Sequence, residues 1–322
     1  MQQKLVDIVK NFGGKKVLVL GDVMLDTYLM GNSTRISPEA PVLVVNVERK
    51  LYTPGGASNT AANVKSLGGS VYLVGVVGCD DNAKLLLSEL DKKGIITDNL
   101  VTCRDKPTTS KVRLIAHKQQ IVRFDEEDSS LLHPVYEQLV ISRLERAALK
   151  CDVVVVSDYA KGAVTENVMK ALFDIAYSRN IPVIVDPRPQ NKRIYRGCEL
   201  ITPNVAEAKS MVPEHNDLSH LCYKLKEELG CNVLLTRGEQ GMKLLTKHGL
   251  EHNFNAITTG VYDVTGAGDT VAAALALSLA SGAPLEDAAQ ISNYAAGIVV
   301  RKLGSATTTR DELIKTIKGY KP

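Results

Sequence analysis

The chain has 322 residues, 44% of them hydrophobic and 23% charged, with a formal net charge of +3. Those are proportions of an ordinary globular protein, and so small a charge, with Lys and Arg dispersed, gives no argument for a nucleic-acid partner. No apolar run reaches membrane-spanning length and residues 1–16 are polar and basic without a signal-peptide core, so no membrane partner is expected and a cytoplasmic location is.

In chain order, Lys15 to Asp22 is a short apolar run of the kind that forms a buried parallel strand. Asp22 and Asp26 bracket Met24 just past its end, where open α/β sheets place ligands, and this pairing favours a polyhydroxyl ligand over a turn cap. Val42 to Glu48 and Leu51-Tyr52 alternate like an exposed strand pair, with Pro38 and Pro41 ahead of them. Gly55-Gly56 opens a helix to about Leu67 and lets a ligand approach backbone amides; Asn59 there offers a donor and an acceptor. A plain turn and cap reads the same way. Strand Val71 to Gly78, helix Asp81 to Lys93 and strand Ile95 to Val101 follow, then Thr108 to Ala116 and Gln119 to Asp125 as a second hairpin-like pair joined at His117-Lys118. This pair carries Lys111, Arg113, Gln120 and Arg123, either a solvated face or a lid bringing basic groups to a phosphate. Helix His133 to Leu149 leads to four valines, Val153 to Val156, a central strand ending in Asp158 and Lys161. Helix Thr165 to Arg179 and strand Pro182 to Val185 end in Asp186-Pro187-Arg188. Asn204 and Glu207 have capping-box spacing at the next helix. Strand Val233 to Thr236 runs into the turn bounded by Gly238 and Gly241, and Met242 to Thr246 forms a further strand. A β-type run, Ala256 to Val261, precedes the glycine stretch; Leu285 to Lys302 reads as one helix containing Asn293, and Asp311 to Lys318 as a short last one. Six cysteines without a CxxC pair and six histidines without an HExxH spacing point to reduced thiols and no structural zinc. Alternating strands and helices predict an α/β fold, a doubly wound mostly parallel sheet in one domain over 1–322, with a small projecting β-lid at about 35–53 and 106–126.

The most informative stretch is Asp263-Val264-Thr265-Gly266-Ala267-Gly268-Asp269, leading into the helical run Thr270 to Ala280. Two glycines and a helix start make an anion cradle, and Asp269 puts a carboxylate at its rim, either as a base or as an N-cap. An anion cradle beside a base points to phosphoryl transfer to a hydroxyl. The third glycine of GxGxxG is absent, since Val271 stands there, and no GxxxxGK[ST] occurs.

GGASN, NVAE, TRGEQG and GAGD, in this order, resemble the ribokinase-like (PfkB) carbohydrate kinases over nearly the whole chain. GDVMLDTY, TRISPEAPV, QQIVRFD, SDYAKGA and VYDVTGAGDT narrow the resemblance to the heptose-7-phosphate 1-kinases of ADP-heptose synthesis, in their stand-alone form. The resemblance implies ATP and Mg²⁺, with Asp269 as the base and the amides of Gly266, Ala267 and Gly268 stabilising the transferred group, each such donor worth about 3 kcal/mol of barrier. Asn204 and Glu207 would order Mg²⁺ through water. Thr236, Gly238, Gly241 and Asn293 would border ATP. Asp22, Met24, Asp26, Gly55, Gly56 and Asn59 would surround the sugar, with Asp158 and Asp186 at strand ends nearby. Gln120, Arg123 and Lys161 would meet the substrate's own phosphate. Arg188 departs from the Asp-Pro-Lys usual in these kinases, which puts its contact in doubt. Asp263 and Thr265, with the Gly304-Ser305 turn, would supply oxygens to a monovalent cation such as K⁺. The implied activity is phosphorylation of the anomeric hydroxyl of D-glycero-β-D-manno-heptose 7-phosphate. Separately, the exposed edges of the lid strands need covering, so a homodimer through the lid is expected. Its rivals are a kinase of another sugar or sugar phosphate, and a non-catalytic sugar- or nucleotide-binding regulator on the same fold.

Overall fold

The computed structural model describes residues 2–117, 119–214, 217–257, 260 and 262–320. In chain order the elements are α1 (Gln2–Lys10), β1 (Lys16–Gly21), β2 (Val23–Ile36), β3 (Leu43–Gly56), α2 (Ala57–Ser66), β4 (Ser70–Val77), α3 (Asp81–Lys92) and β5 (Leu100–Thr102). Next come β6 (Ser110–Ala116), β7 (Gln119–Glu126), α4 (Pro134–Ala148), β8 (Val153–Ser157), α5 (Glu166–Arg179), β9 (Val183–Asp186) and β10 (Leu200–Ile201). The last part holds α6 (Val205–Met211), α7 (Leu218–Leu229), β11 (Asn232–Thr236), β12 (Met242–Leu245), β13 (Glu251–Phe254), α8 (Ala267–Ala280), α9 (Leu285–Val299) and α10 (Arg310–Gly319).

The main sheet has the order β13-β12-β11-β10-β9-β8-β1-β4-β5; β5 to β11 are parallel, and β12 and β13 run antiparallel at one edge. Its central strands are buried on both faces, which explains the unbroken valines of β8. Val17 and Val19 of β1 face a core shared with α1, α2, α3, α8, α9 and α10, while Leu18 and Leu20 face one shared with α4, α5, α6 and α7. Helices therefore cover both faces, as doubly wound sheets require. Among the described residues no helix is long and apolar enough to cross a membrane.

A separate four-stranded sheet, β3-β2-β6-β7, projects as the lid. Here the strands differ from expectation. The strand pair read within 42–52 is one long strand, β3, and its partner is β2, which starts one residue after β1. Asp26 thus sits in the lid's root rather than in a loop past the first strand. Asp22 alone lies between β1 and β2. Strand β5 is shorter than read because Leu100 N–H bonds Thr97 C=O at 2.9 Å, closing a turn. Helix α9 stops at Val299, and the Val300 carbonyl instead accepts the N–H of Tyr262 and Asp263 at 2.7 and 3.1 Å. Of the β-type run before the glycine stretch, Ala256 and Ile257 lie in no strand, and Thr258, Thr259 and Val261 fall outside the described residues, as does Lys118 of the second lid turn.

Candidate active site

Helix α8 opens at the glycine stretch. Gly266 caps it in the left-handed region, φ 76°, and a Cβ there would lie 2.5 Å from Asn59 Nδ2, so both backbone and space require glycine. Asp269 lies in the first helical turn and makes no cap. Its buried carboxylate bonds three side chains instead. Oδ2 accepts from Asn59 Nδ2 at 2.8 Å, and Oδ1 accepts from Thr60 Oγ1 at 2.9 Å and Tyr159 Oη at 3.0 Å. Thr270 Oγ1 donates to Asn63 Oδ1 at 2.9 Å, so α2 and α8 are joined along a polar seam. Burial pushes the Asp269 carboxyl up to about 6, against three hydrogen bonds that favour its charged form.

On one side of residues 263–268 lies a cavity of about 520 Å³. Ile257, Val264, Val271, Ala296 and Val300 give it apolar walls, and a Cβ on Gly297 would come within 2.9 Å of Ile257. Asp186, Arg188, Asn204 and Glu207 give it charged and polar walls, and Thr236, Gly238, Gly241 and Asn293 also line it. The cavity thus combines apolar walls with charged and polar groups and has the volume of a small-molecule site. Glu207 and Asn204 form the capping box of α6, at 2.9 Å in both directions, and Glu207 Oε1 also lies 3.2 Å from Arg188 Nη1. The Arg188 guanidinium stacks 4.7 Å above the Tyr159 ring. Burial, with the charges of Asp269 and Glu207 close by, pushes the Asp186 carboxyl well above the usual carboxylate range.

On the other side of the loop is an open cleft of about 1100 Å³ under the lid, reached by Tyr28, Arg49, Arg113, Gln120, Asp263 and Thr265. Asp26 Oδ1 pairs with Arg113 Nη1 at 2.7 Å and Oδ2 accepts from Ser305 Oγ at 2.7 Å. Arg113 stands directly across from Arg123 in the β6–β7 register, so the two share one face of the lid.

Residues 14–312 match the family described as pfkB family carbohydrate kinase. The chain belongs to the pfkB family of carbohydrate kinases. This pfkB kinase is a phosphotransferase acting on an alcohol group of a sugar. It is 42% identical over 317 residues to the bifunctional protein HldE of Vibrio vulnificus, covering 97% of this chain and 65% of that protein. Its identity to HldE of Trichlorobacter lovleyi is 42% over 323 residues, 98% of this chain and 66% of the other. The chain thus spans about 65% of the length of these relatives. In fold it resembles Arabidopsis thaliana ribokinase complexed with ribose and ATP (TM-score 0.73, 20% identity, 96% and 100% of the two chains). Escherichia coli phosphofructokinase-2 in complex with potassium is similar too (TM-score 0.77, 19% identity, 95% and 98%).

Several residues of the pfkB kinase sit where sequence reasoning puts a ligand yet have protein partners. Asp22 accepts three backbone N–H groups of the loop after β8, from Tyr159, Lys161 and Ala163 at 2.8, 3.1 and 3.0 Å. Asp158 is buried against Tyr195 Oη, Asn191 Nδ2 and Ala160 N at 2.5, 2.7 and 2.7 Å. Asn59 holds Asp269, and Met24 packs beneath Gly55 and Gly56. The three residues expected at a substrate phosphate are spread out. Gln120 lines the lid cleft, Arg123 is half-exposed 3.0 Å from Asp125, and Lys161 Nζ binds Glu127 Oε1 at 2.7 Å in a separate cleft with Lys111 and Arg188. Asp263 accepts the N–H of Thr265 at 2.9 Å and of Gly304 at 2.8 Å, tying the glycine loop to the following turn. Thr60 and Tyr159 are the functional neighbours sequence reasoning misses. Thr60 adjoins Asn59 in the quoted motif, and Tyr159 stands within SDYAKGA, but no spacing rule pairs either with Asp269.

Proposed function

We propose that this pfkB kinase, as one unit over 1–322, phosphorylates the anomeric hydroxyl of D-glycero-β-D-manno-heptose 7-phosphate with ATP, giving the 1,7-bisphosphate. The reading is carried by the position of Asp269, buried at the head of α8 behind a loop whose two sides border the nucleotide-sized cavity and the lid cleft. Among the described residues Asp269 Oδ2 has one donor, Asn59, which leaves it room to accept the sugar's hydroxyl proton. That O–H bond breaks as the sugar oxygen bonds the γ-phosphorus and the bridging oxygen departs with ADP. The N–H groups at the start of α8 meet the charge on the group in transfer. Mg²⁺ would neutralise phosphate charge when bound; Glu207, through water, and Asp186 are the carboxylates of this cavity that would hold it. A monovalent cation would sit by Asp263 and Thr265. Arg123, half-exposed on the lid, suits the 7-phosphate, and the motifs shared with heptose-7-phosphate 1-kinases support a heptose. Exposed Val122 and Phe124 on the edge strand β7 support a second copy docking on the lid.

A panel of sugar 7-, 6- and 5-phosphates and free sugars, followed by phosphorus NMR, tests the reading. The heptose 7-phosphate should lead in kcat/KM by at least about 100-fold. A better acceptor elsewhere in the panel would sink the heptose assignment.

A further inference from the structure

We infer that Tyr159 is a positioning residue for the base, saturating Oδ1 of Asp269 so that Oδ2 is the oxygen that takes the acceptor's proton. This rests on the reading of Asp269 as the base. Among the described residues Oδ1 already holds two hydroxyl donors, Thr60 and Tyr159, whereas Oδ2 holds the single amide donor of Asn59. A carboxylate oxygen with both lone pairs engaged is a poor proton acceptor, so the two oxygens are chemically distinct.

The two donors on Oδ1 are placed differently. Thr60 is fully buried on α2, while Tyr159 is half-buried and borders both the nucleotide-sized cavity and the cleft of Lys111 and Lys161. Its geometry is fixed from three directions. Asp22 Oδ2 accepts its backbone N–H at 2.8 Å, the Arg188 guanidinium lies 4.7 Å from its ring centroid, and Asp269 receives its hydroxyl. Burial beside Asp269 and Asp186 pushes the phenol well above its ordinary range, so it stays a donor at working pH. The groups facing Asp269 are Asn59 and Thr60 from α2, Asp26 from β2, Asp186 from β9, and Tyr159 with Arg188 above it. Among them only Tyr159 is both a direct donor and a wall of the nucleotide-sized cavity.

Tyr159→Phe keeps the ring and the stacking and removes only the donor. The acid limb of the pH profile of kcat/KM should move up by about half to one unit. Turnover should fall about two- to fivefold at pH 6 and less than about twofold at pH 8.5, with KM for ATP within about twofold of wild type. The Asp269 carboxyl, followed by carbon-13 NMR without substrate, should titrate higher by the same interval. An unmoved limb, an unmoved carboxyl titration, or an equal loss at every pH overturns the inference. Asp269→Asn measured alongside separates the two readings. If it retains near-normal turnover, the base assignment fails; if it is inactive and Tyr159→Phe shows no pH shift, only the role of Tyr159 fails.

Discussion

Arg113 of β6 and Asp26 of β2 form a buried ion pair, 2.7 Å from Nη1 to Oδ1, between the two central strands of the lid. Breaking one side of such a pair leaves a charge stranded away from water. Arg113→Met should therefore destabilise the protein by about 3–5 kcal/mol in urea unfolding. Adding Asp26→Asn should recover more than half of that loss, because the stranded charge is gone. Additive losses in the double variant would show that the pair is not coupled.

Asp269→Asn should nearly abolish turnover and yet raise stability. The folded-state carboxyl is pushed from 3.8 to about 6, so the stability it contributes is full below pH 4 and lost as pH rises through 6. That loss is on the order of 3 kcal/mol at pH 8. Asn never ionises, so the variant should melt higher than wild type at pH 8, with the gain shrinking between pH 6 and pH 4. Thermal unfolding at pH 4 and pH 8 checks this; a gain that does not depend on pH would contradict the cause given.

Glu207→Gln keeps an acceptor for the capping box of α6 and removes the charge that pairs with Arg188. Stability should change by less than about 1 kcal/mol. The Mg²⁺ concentration giving half-maximal rate should rise about tenfold or more. A magnesium titration at saturating nucleotide measures it, and an unchanged midpoint removes Glu207 from the metal's surroundings.

Gly297→Val puts branched carbon where even a Cβ would lie 2.9 Å from Ile257. If the apolar slot holds the nucleotide base, ATP affinity should fall more than about tenfold, read by calorimetry. Unchanged affinity would move the nucleotide elsewhere.

The parts of this fold legible in the sequence are those whose signal is local. The valines of β8 announce a strand covered on both faces, and Asn204 with Glu207 announces a helix start that forms as spaced. Helix α7 carries an equally readable stripe, Leu221, Cys222, Leu225 and Leu229, which a motif-led reading passes over. Strand β2 is hidden because its root is polar: Asp26 looks like a loop carboxylate until Arg113, 87 residues on, is brought beside it. Asp22 misleads for the same reason, since its partners are backbone amides 137 to 141 residues away. Asp269 stood out through its glycines, but its partners lie 110 to 210 residues off and belong to the tertiary fold alone.

The lid has a stiff root and an unencumbered rim. Asp22 gives no slack between β1 and β2, and Asp26, Arg113 and Ser305 lock the root to the body. Elsewhere in the cleft, among the described residues, Arg49 holds no ion pair and the Gln120 amide no side-chain hydrogen bond. Substitutions at the rim therefore change what the cleft presents to an acceptor while leaving the base and its three donors in register. Variation in acceptor choice has a cheap route at the rim and an expensive one at the root, and directed evolution toward a different sugar should begin with residues 49 and 120.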